Sequence, residues 1–320
     1  MAEASLRVGA AQIAPVWLDR EATIARVVEQ IDAAAVSGVE LLAFGECLVP
    51  GYPFWIERTD GARFDSAVQK DLYAHYVDQA VCIEAGHLEP VLEAARRCAM
   101  AVVLGILERP DQRGESVYAT AVSIDQDGCI VASQRKLMPT HEERLVWAIG
   151  DGHGLRTHRV GPFTVGALNC WENWMPLART ALQAQGEDLH VALWPGNPRN
   201  TRDITRFMAL EGRSFVLSAA GSMAAGDLPE DLPRSGALKR AAEDMPWARG
   251  GSCLAGPDGR WLIEPVVDQT GLFFADIQPA GVRRARQHFD PVGHYSRPDV
   301  FALDVDRSRQ TIARFHDPDD

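Results

Sequence analysis

The sequence predicts an α/β protein in which helices cover two β-sheets within a single domain. Apolar segments of strand length alternate with segments of helical periodicity, so strand–helix–strand blocks recur along the chain with hairpins beside them. No low-complexity linker interrupts the 320 residues, and the sequence contains no short-period repeat. These observations favour one domain with two sheets over two separate domains.

The individual elements follow from periodicity, caps and turn residues. Asp19 can cap the first helix and Gly38 can end it, and the turn at 125–128 joins two strands into an antiparallel pair. Residues 221–246 are polar and rich in Gly and Pro, which predicts a surface loop or lid. The predicted strands are residues 6–14, 40–44, 101–107, 117–124, 129–133, 156–160, 163–168, 189–194, 214–220, 251–255, 261–264 and 272–277. The predicted helices cover residues 19–38, 64–86, 90–98, 176–185 and 201–213.

Composition excludes several classes of function. Hydrophobic content of 46% and charged content of 24% match an ordinary soluble protein, and the net charge of −12 disfavours binding to nucleic acid or to an anionic membrane. No apolar stretch reaches the length of a bilayer span, and the N-terminus lacks the features of a signal peptide. We therefore expect a cytoplasmic protein with neither a nucleic-acid nor a membrane partner.

The six cysteines show no spacing typical of a disulfide framework or a zinc site, since none forms a Cys-x-x-Cys pair. Most cysteines in such a protein are small buried apolar residues. One of them stands at an unusual junction. Cys170 lies between a strand that ends at Leu168 and a helix that begins at Pro176, where backbone N–H groups and the helix field favour an anion. This corner predicts a place for a cysteine thiolate.

Three reactive side chains follow predicted strands: Glu46, Lys136 and Cys170. A cysteine is a strong nucleophile only as a thiolate, so it needs a base or a cation nearby. A buried carboxylate can take the thiol proton and return it to a leaving nitrogen, while an ammonium can stabilise developing negative charge. Taken singly, a glutamate or lysine of this kind is more often a solvated surface group. Together the three predict nucleophilic catalysis.

The motifs around these residues resemble the three signatures of the nitrilase superfamily of carbon–nitrogen hydrolases. The signatures are matched by the segments Phe44-Gly45-Glu46, Arg135-Lys136 and Leu168-Asn169-Cys170-Trp171-Glu172. Within the superfamily, Trp171-Glu172 after the cysteine is similar to the true nitrilase branch, whereas amidases more often have Tyr-Asp. The segments 139–152 and 293–299 resemble the same branch. The resemblance extends over residues 7–300.

The resemblance implies a role for each site residue. Cys170 is expected to be the nucleophile, Glu46 the general base and acid, and Lys136 the electrophilic stabiliser. Glu143 is expected to be a second, structural glutamate that orients Lys136 and the substrate. It also implies a four-layer α-β-β-α sandwich that uses no metal or organic cofactor. Subunits are expected to pair through helical faces into a homodimer or a larger homo-oligomer. The substrate is expected to be a small nitrile or amide.

Two departures from the family pattern concern the region expected to shape the acyl pocket: Asn173 stands where many nitrilases have His, and Ala148 where many have Gly. The expected domain covers residues 1–300, and residues 301–320 form a short acidic C-terminal tail. Because many nitrilases carry a longer extension that takes part in spiral filaments, long filaments are not expected here.

Several alternatives remain at the level of the sequence. Cys47, beside Glu46, could compete as nucleophile, but adjacent residues on an extended segment point to opposite sides. His294 could form a Cys–His dyad, although a histidine that fixes the C-terminal segment is the better interpretation. Aromatic and proline residues next to the motifs are predicted to line the pocket, with the Trp171 N–H also stabilising charge: Tyr52, Trp171, Trp194 and Pro195. For Trp55 and Trp174, a core position or a subunit contact is as plausible.

The alternative functions are an amidase of the same superfamily, a relative that processes cyanide or cyanoalanine, and a non-catalytic oligomeric scaffold. The intact set of Glu46, Lys136 and Cys170 argues against the scaffold. The residues after the cysteine favour nitrile hydrolysis to the carboxylic acid and ammonia.

Overall fold

The computed structural model of the chain describes residues 4–242, 247–313 and 316. Within these residues, strands form two mixed sheets and helices lie against their outer faces. The strands are β1 Leu6–Gln12, β2 Leu41–Phe44, β3 Ala101–Glu108, β4 Tyr118–Ile124, β5 Ile130–Arg135, β6 His158–Val160, β7 Phe163–Asn169, β8 Leu189–Trp194, β9 Phe215–Ala220, β10 Ser222–Met223, β11 Ala248–Ala255, β12 Trp261–Val267 and β13 Gly271–Ile277. The helices are α1 Arg20–Val36, α2 Trp55–Arg58, α3 Ala67–Asp78, α4 Glu89–Cys98, α5 Pro176–Gln183, α6 Pro198–Gly212, α7 Ser235–Ala242 and α8 Pro279–Arg286.

Each sheet has a parallel centre with antiparallel hairpins beside it. The first sheet has the order β13-β1-β2-β3-β4-β5, in which β1, β2 and β3 are parallel. The second has the order β10-β11-β9-β8-β7-β6, with β12 added to β11, and its β7, β8 and β9 are parallel. Parallel strands need crossover connections, which α1 and α5 supply after β1 and β7.

The two sheets face each other across an apolar core. Val8 and Leu41 of the first sheet lie in one buried cluster with Val165 and Val191 of the second. On the outer sides, α1 and α4 pack on the first sheet through a second cluster, and α5 and α6 pack on the second sheet. This arrangement confirms the predicted four-layer α-β-β-α sandwich.

Local signals in the sequence explain where several elements begin and end. The Asp19 carboxylate accepts the backbone N–H of Ala22, which confirms the predicted cap of α1. Gly38 adopts φ +70° just after that helix, a conformation that glycine adopts at little cost. Helix α6 begins three residues earlier than predicted, because Asn197 caps it and Pro198 occupies its first turn.

The segment 221–246, predicted to be a loop, contains regular structure. Ser222–Met223 forms β10 against β11, and Ser235–Ala242 forms α7. Leu238 of this helix is buried in an apolar cluster with Trp17 and Trp247. The high Gly and Pro content predicted a loop, whereas the burial of Leu238 stabilises a short helix here. Residues 243–246 of the predicted loop lie outside the described residues.

Residues after 300 contact the body of the protein. Arg309 forms an ion pair with Asp151 at 2.9 Å and donates to the Ser133 carbonyl at 3.1 Å. Gln310 donates to the carbonyl of Gly150, whose own N–H donates to the Lys136 carbonyl. Arg309 and Gln310 therefore pack on the loop behind Lys136, and the domain boundary at residue 300 stays a prediction. No helix in the described part of the chain is long and apolar enough to cross a membrane.

Candidate active site

The sandwich brings the three predicted residues together from both sheets. Glu46 follows β2 and Lys136 follows β5 in the first sheet, while Cys170 directly follows β7 in the second. Each of these three residues is at most 3% exposed. Lys136 Nζ lies 2.8 Å from Glu46 Oε1 and 2.6 Å from Glu143 Oε2. Carboxylate oxygens of Glu46 and Glu143 and the Cys170 sulfur all lie within 4.8 Å of one another.

The Lys136 ammonium is the cation of this cluster. Burial lowers the pKa of Lys136, but the neighbouring Cys170, Glu46 and Glu143 raise it more, so the pKa lies well above its ordinary value. Lys136 therefore stays protonated over the physiological range. An ammonium held between two carboxylates in a dry site can stabilise negative charge that develops on a bound substrate.

Glu46 has the properties of a general base. Burial raises the pKa of Glu46 to about 8, with the negative charge of Glu143 adding to the effect and the Lys136 ammonium opposing it. Neither carboxylate oxygen of Glu46 accepts an aligned hydrogen bond from any described residue. The two oxygens are thus available to accept protons from a thiol or a water. A base with a pKa near the working pH is the effective kind.

The Cys170 thiol keeps its proton in the resting site. Burial raises its pKa well above the ordinary value, and the negative charge of Glu46 adds to this, while Lys136 opposes it. The sequence predicts a thiolate at this strand–helix corner, whereas the structure favours a protonated thiol, because the corner is buried and lies beside carboxylates. Cys170 also adopts φ +47°, a conformation costing a non-glycine residue about 1 kcal/mol or more. A reaction that uses this sulfur as a nucleophile would need a base to remove its proton.

Glu143 is placed by a capping box. Its carboxylate accepts the Thr140 N–H at 2.5 Å, at the start of a short 3₁₀ helix, His141–Leu145. The same carboxylate accepts the Tyr52 hydroxyl at 2.7 Å and the Lys136 ammonium at 2.6 Å. This geometry matches the orienting position that the resemblance implies for Glu143.

A cavity of about 670 Å³ opens onto Cys170 and contains three of the four predicted pocket residues, Tyr52, Trp171 and Pro195. Trp171 is 53% exposed, and its backbone N–H lowers the pKa of the Cys170 thiol. The other residues around this cavity are Met138, Pro139, Thr140, His141, Glu142, Glu143, Arg144, Glu172, Met175 and Asn200.

The prediction that Trp194 lines the pocket is wrong. Its ring is fully buried in the apolar cluster beneath Cys170, and the indole N–H donates to Ser218 Oγ at 3.1 Å. The final residue of β8 points into the layer between sheet and helix, so its position next to Pro195 did not carry the ring into the cavity. Its backbone carbonyl nevertheless accepts the N–H of Glu46 at 3.1 Å, which links the two sheets beside the site.

Cys47 and His294, the other candidate nucleophile and base, do not line the cavity at Cys170. Cys47 is buried and its sulfur lies 3.2 Å from the Tyr76 hydroxyl, away from the cavity. Its backbone is left-handed, with φ +49°, so the extended segment assumed in the prediction is not the reason for its orientation. His294 is exposed and its ring packs beside Tyr295, whereas Cys170 is buried.

Asn173 lies behind the nucleophile, in contrast to the expectation that it shapes the acyl pocket. It is fully buried, and its amide donates to the Cys170 carbonyl at 2.8 Å while its oxygen lies 2.7 Å from His190 Nε2. His190 in turn contacts Glu187 at 2.9 Å. Ala148 donates its N–H to the Val117 carbonyl at the edge of β4 and does not line the cavity.

Sequence reasoning gave no role to Glu172, whose buried carboxylate contacts the backbone on both sides of the site. Asn169 and Glu172 form a capping box around the short 3₁₀ helix Cys170–Trp174. The pattern Asn-x-x-Glu directly after a strand was the signal that could have identified it.

The cluster contains enough acidic and thiol ligands to raise the question of a metal. Within the described residues, Glu46, Glu143 and Cys170 form the group close enough to hold an ion. The Lys136 ammonium already lies between the two carboxylates at 2.8 and 2.6 Å. A second cation there would face strong repulsion, so the donor set fits a lysine-centred site better than a metal site.

Known proteins were compared with this chain. The family model described as carbon-nitrogen hydrolase matches residues 7–287. "Nitrilase 2" from an unknown prokaryotic organism is 36% identical over 313 residues, covering 97% of this chain and 96% of that protein. An "Aliphatic nitrilase" from Rhodococcus rhodochrous is 35% identical over 323 residues, covering 96% and 84%.

Solved structures show the same fold at lower identity. The crystal structure of a carbon-nitrogen hydrolase from Helicobacter pylori G27 superposes with a TM-score of 0.70 at 17% identity, covering 92% of this chain and 97% of that one. The solved structure shows the fold, and the family model and the two relatives show the family. The chain belongs to the carbon-nitrogen hydrolase family.

Proposed function

We propose that this protein is a nitrilase, which converts an organic nitrile and two waters into the carboxylic acid and ammonia. The observation that carries the proposal is a buried Cys170 thiol within 4.8 Å of a Glu46 carboxylate that accepts no aligned hydrogen bond from any described residue. The Lys136 ammonium lies beside the same carboxylate. The relatives at 35–36% identity that bear the name nitrilase support the choice of substrate class.

In the first half of the reaction, Glu46 takes the thiol proton of Cys170 and the sulfur adds to the nitrile carbon. Negative charge develops on the nitrile nitrogen, where the Lys136 ammonium and the Trp171 N–H can stabilise it. Transfer of the proton from Glu46 to that nitrogen gives a neutral thioimidate. The carboxylate is then ready to act again as a base.

In the second half, Glu46 deprotonates a water that adds to the thioimidate carbon. Glu46 returns this proton to the nitrogen. The hydroxyl proton of the tetrahedral adduct passes through Glu46 to the same nitrogen, which leaves as ammonia as the adduct collapses to a thioester on Cys170. A second water, activated in the same way, releases the carboxylic acid and restores the thiol. Glu143 holds the Lys136 ammonium in place throughout by accepting its hydrogen bond at 2.6 Å, and the Tyr52 hydroxyl in turn donates to Glu143 at 2.7 Å.

An amidase is the second candidate, because an amide can form the same thioester with the same groups. Matched pairs of a nitrile and its amide, one aliphatic and one arylacetic, separate the two functions when acid, amide and ammonia are all measured. We expect kcat/KM for the nitrile to exceed that for its amide by about tenfold or more, since the site would stabilise charge on the nitrile nitrogen. Faster hydrolysis of the amide in both pairs would replace nitrilase by amidase.

We further propose that the protein forms a homodimer or larger homo-oligomer through the faces of α5 and α6. Apolar side chains there are exposed to solvent although they are large: Trp174, Leu177, Phe207 and Leu210 are 49%, 66%, 50% and 40% exposed. An ion pair between Arg179 and Glu211 fastens the two helices together. Several large apolar side chains exposed on and beside two paired helices are typical of a protein interface.

Charge placed on this surface is expected to dissociate the oligomer. Phe207→Glu puts a carboxylate among these apolar side chains. The molar mass of this variant, measured by light scattering after size-exclusion chromatography, should fall to that of a monomer. Phe64→Glu is the matched control, because Phe64 is 97% exposed but lies outside this group of side chains. A wild-type protein that is monomeric at micromolar concentration would contradict the proposal.

The single domain 1–300 and the cytoplasmic location remain predictions.

A further inference from the structure

The Glu172 carboxylate lies between the two strand ends that carry Lys136 and Cys170. It is 1% exposed. One oxygen, Oε1, accepts the backbone N–H of Leu137 at 2.7 Å, and the other, Oε2, accepts the backbone N–H of Asn169 at 2.8 Å. Leu137 directly follows Lys136, and Asn169 directly precedes Cys170. A single side chain therefore connects the backbones next to two of the three proposed catalytic residues.

This connection crosses from one sheet to the other. Leu137 follows β5 of the first sheet, whereas Asn169 ends β7 of the second. Stacked sheets are held together mainly by apolar contacts, which have little directional preference. Hydrogen bonds to a buried carboxylate are short and directional, so they can fix the relative position of the two strand ends.

A third donor completes the arrangement. The side-chain amide of Gln134, itself 1% exposed, donates to Glu172 Oε1 at 3.1 Å. Gln134 belongs to β5, so two of the three donors come from the Lys136 side and one from the Cys170 side. Burial raises the pKa of Glu172, while the bonds from Leu137, Asn169 and Gln134 lower it. Every donor here is an N–H, which suits the ionised carboxylate.

We propose that Glu172 is a positioning residue that sets the distance between the Cys170 sulfur and the Lys136 ammonium by bridging the two sheets. The proposal rests on the proposed function, in which both groups act on one bound nitrile. A displacement of about 1 Å between reacting groups can cost on the order of 100-fold in rate. We therefore expect replacement of Glu172 to lower kcat and to leave substrate binding nearly unchanged.

The charge of Glu172 has a second, separable effect. Glu46 lies close to Lys136, Glu143 and Cys170, and the negative charge of Glu172 makes a further, smaller contribution to the raised pKa of Glu46. Removing that charge should lower the pKa of Glu46. The acid limb of kcat/KM, which requires the deprotonated base, should then move to lower pH.

Two variants separate distance from charge. Glu172→Gln removes the charge and places an NH₂ group against backbone N–H donors, so we expect kcat to fall about 10- to 100-fold with KM within about threefold, together with an acid limb at lower pH. Glu172→Asp keeps the charge but is one methylene too short to reach both N–H groups. Glu172→Asp should therefore show the same loss in kcat, while the acid limb of its kcat/KM profile stays at the wild-type pH.

The matched control is Glu108→Gln. Glu108 is also a buried carboxylate, 2% exposed, and it pairs with Arg135 at 2.6 Å, but its partners all belong to the first sheet. Its loss should lower the melting temperature without a comparable loss of kcat. Glu172 variants that fold and keep kcat within threefold of wild type would overturn the proposal, as would losses equal to those of Glu108→Gln.

A measurement without substrate distinguishes this proposal from the proposed function. Alkylation of Cys170 by iodoacetamide, followed by mass spectrometry of its peptide, reports on the thiol and its base alone. We expect slower alkylation in both Glu172 variants even if no nitrile is turned over, and an unchanged rate would contradict the bridge. If neither variant folds, Gln134→Leu removes one donor and leaves both backbone bonds. It should slow alkylation about threefold, and an unchanged rate there would also reject the bridge.

Discussion

Replacing Cys170 by alanine is expected to lower ammonia release from every nitrile and amide substrate by at least about 10⁴-fold, because no other group can form the covalent intermediate. The structure supports this magnitude, since the sulfur lies at the cavity within 4.8 Å of Glu46 and Glu143. Steady-state kinetics on a purified, folded variant provide the measurement. In wild type, mass spectrometry after an acid quench should detect an acyl adduct on the peptide that contains Cys170.

Cys47→Ala is the control for this variant. Burial raises the pKa of the Cys47 thiol, and that sulfur lies against the Tyr76 hydroxyl. Its removal should leave kcat/KM within about threefold, the scale of a remote packing change. An adduct on Cys47, or comparable activity in Cys170→Ala and wild type, would remove Cys170 from the mechanism.

The second large effect concerns Glu46 and pH. The raised pKa of Glu46, about 8, means that the base form accumulates as the pH rises, so wild-type kcat/KM should increase as pH passes upward through this value. Glu46→Gln cannot accept the thiol proton. It should lower kcat/KM by about 10³-fold and abolish this acid limb, because loss of a general base typically costs 10²- to 10⁴-fold. Rates measured between pH 5 and 10 test both statements.

Glu40→Gln is the matched control for Glu46→Gln. Glu40 is exposed and precedes β2, so it stands at the opposite end of the strand that Glu46 follows. This variant should keep both the rate and the acid limb of wild type. If Glu46→Gln retained a wild-type pH profile, another group would be the base.

Much of the fold and the identity of the site were predictable because their signals are local. The cap at Asp19 and the apolar runs of the strands depend on neighbours only a few positions away. The placement of Glu46, Lys136 and Cys170 after strands was likewise visible in sequence. That they lie together follows from the order of the strands in the two sheets, which local patterns do not encode.

The features that sequence reasoning missed depend on residues far apart in the chain. The pKa of Cys170 is raised by burial in the finished fold and by the negative charge of Glu46, which the strand–helix corner alone does not show. Trp194 enters the core because Ser218 on the neighbouring strand accepts its indole N–H. Asn173 turns from the cavity toward His190, 17 positions away. In each case the partner that decides the orientation is brought close only by the finished fold.

The first strand, β1, forms its antiparallel pair with β13, the last of the described strands. Along its whole length β1 pairs with β13, and Arg7 and Asp276, 269 positions apart, form a hydrogen-bonded ion pair across them. Contacts of such long sequence separation slow folding, because the entropy of closing the loop is lost before the contact stabilises the chain. Until β13 is in place, one edge of β1 offers unpaired N–H and C=O groups to any other extended chain. A nascent polypeptide that already contains Glu46, Lys136 and Cys170 therefore still carries an open sheet edge, and we expect aggregation to compete with folding until residue 277 has been made.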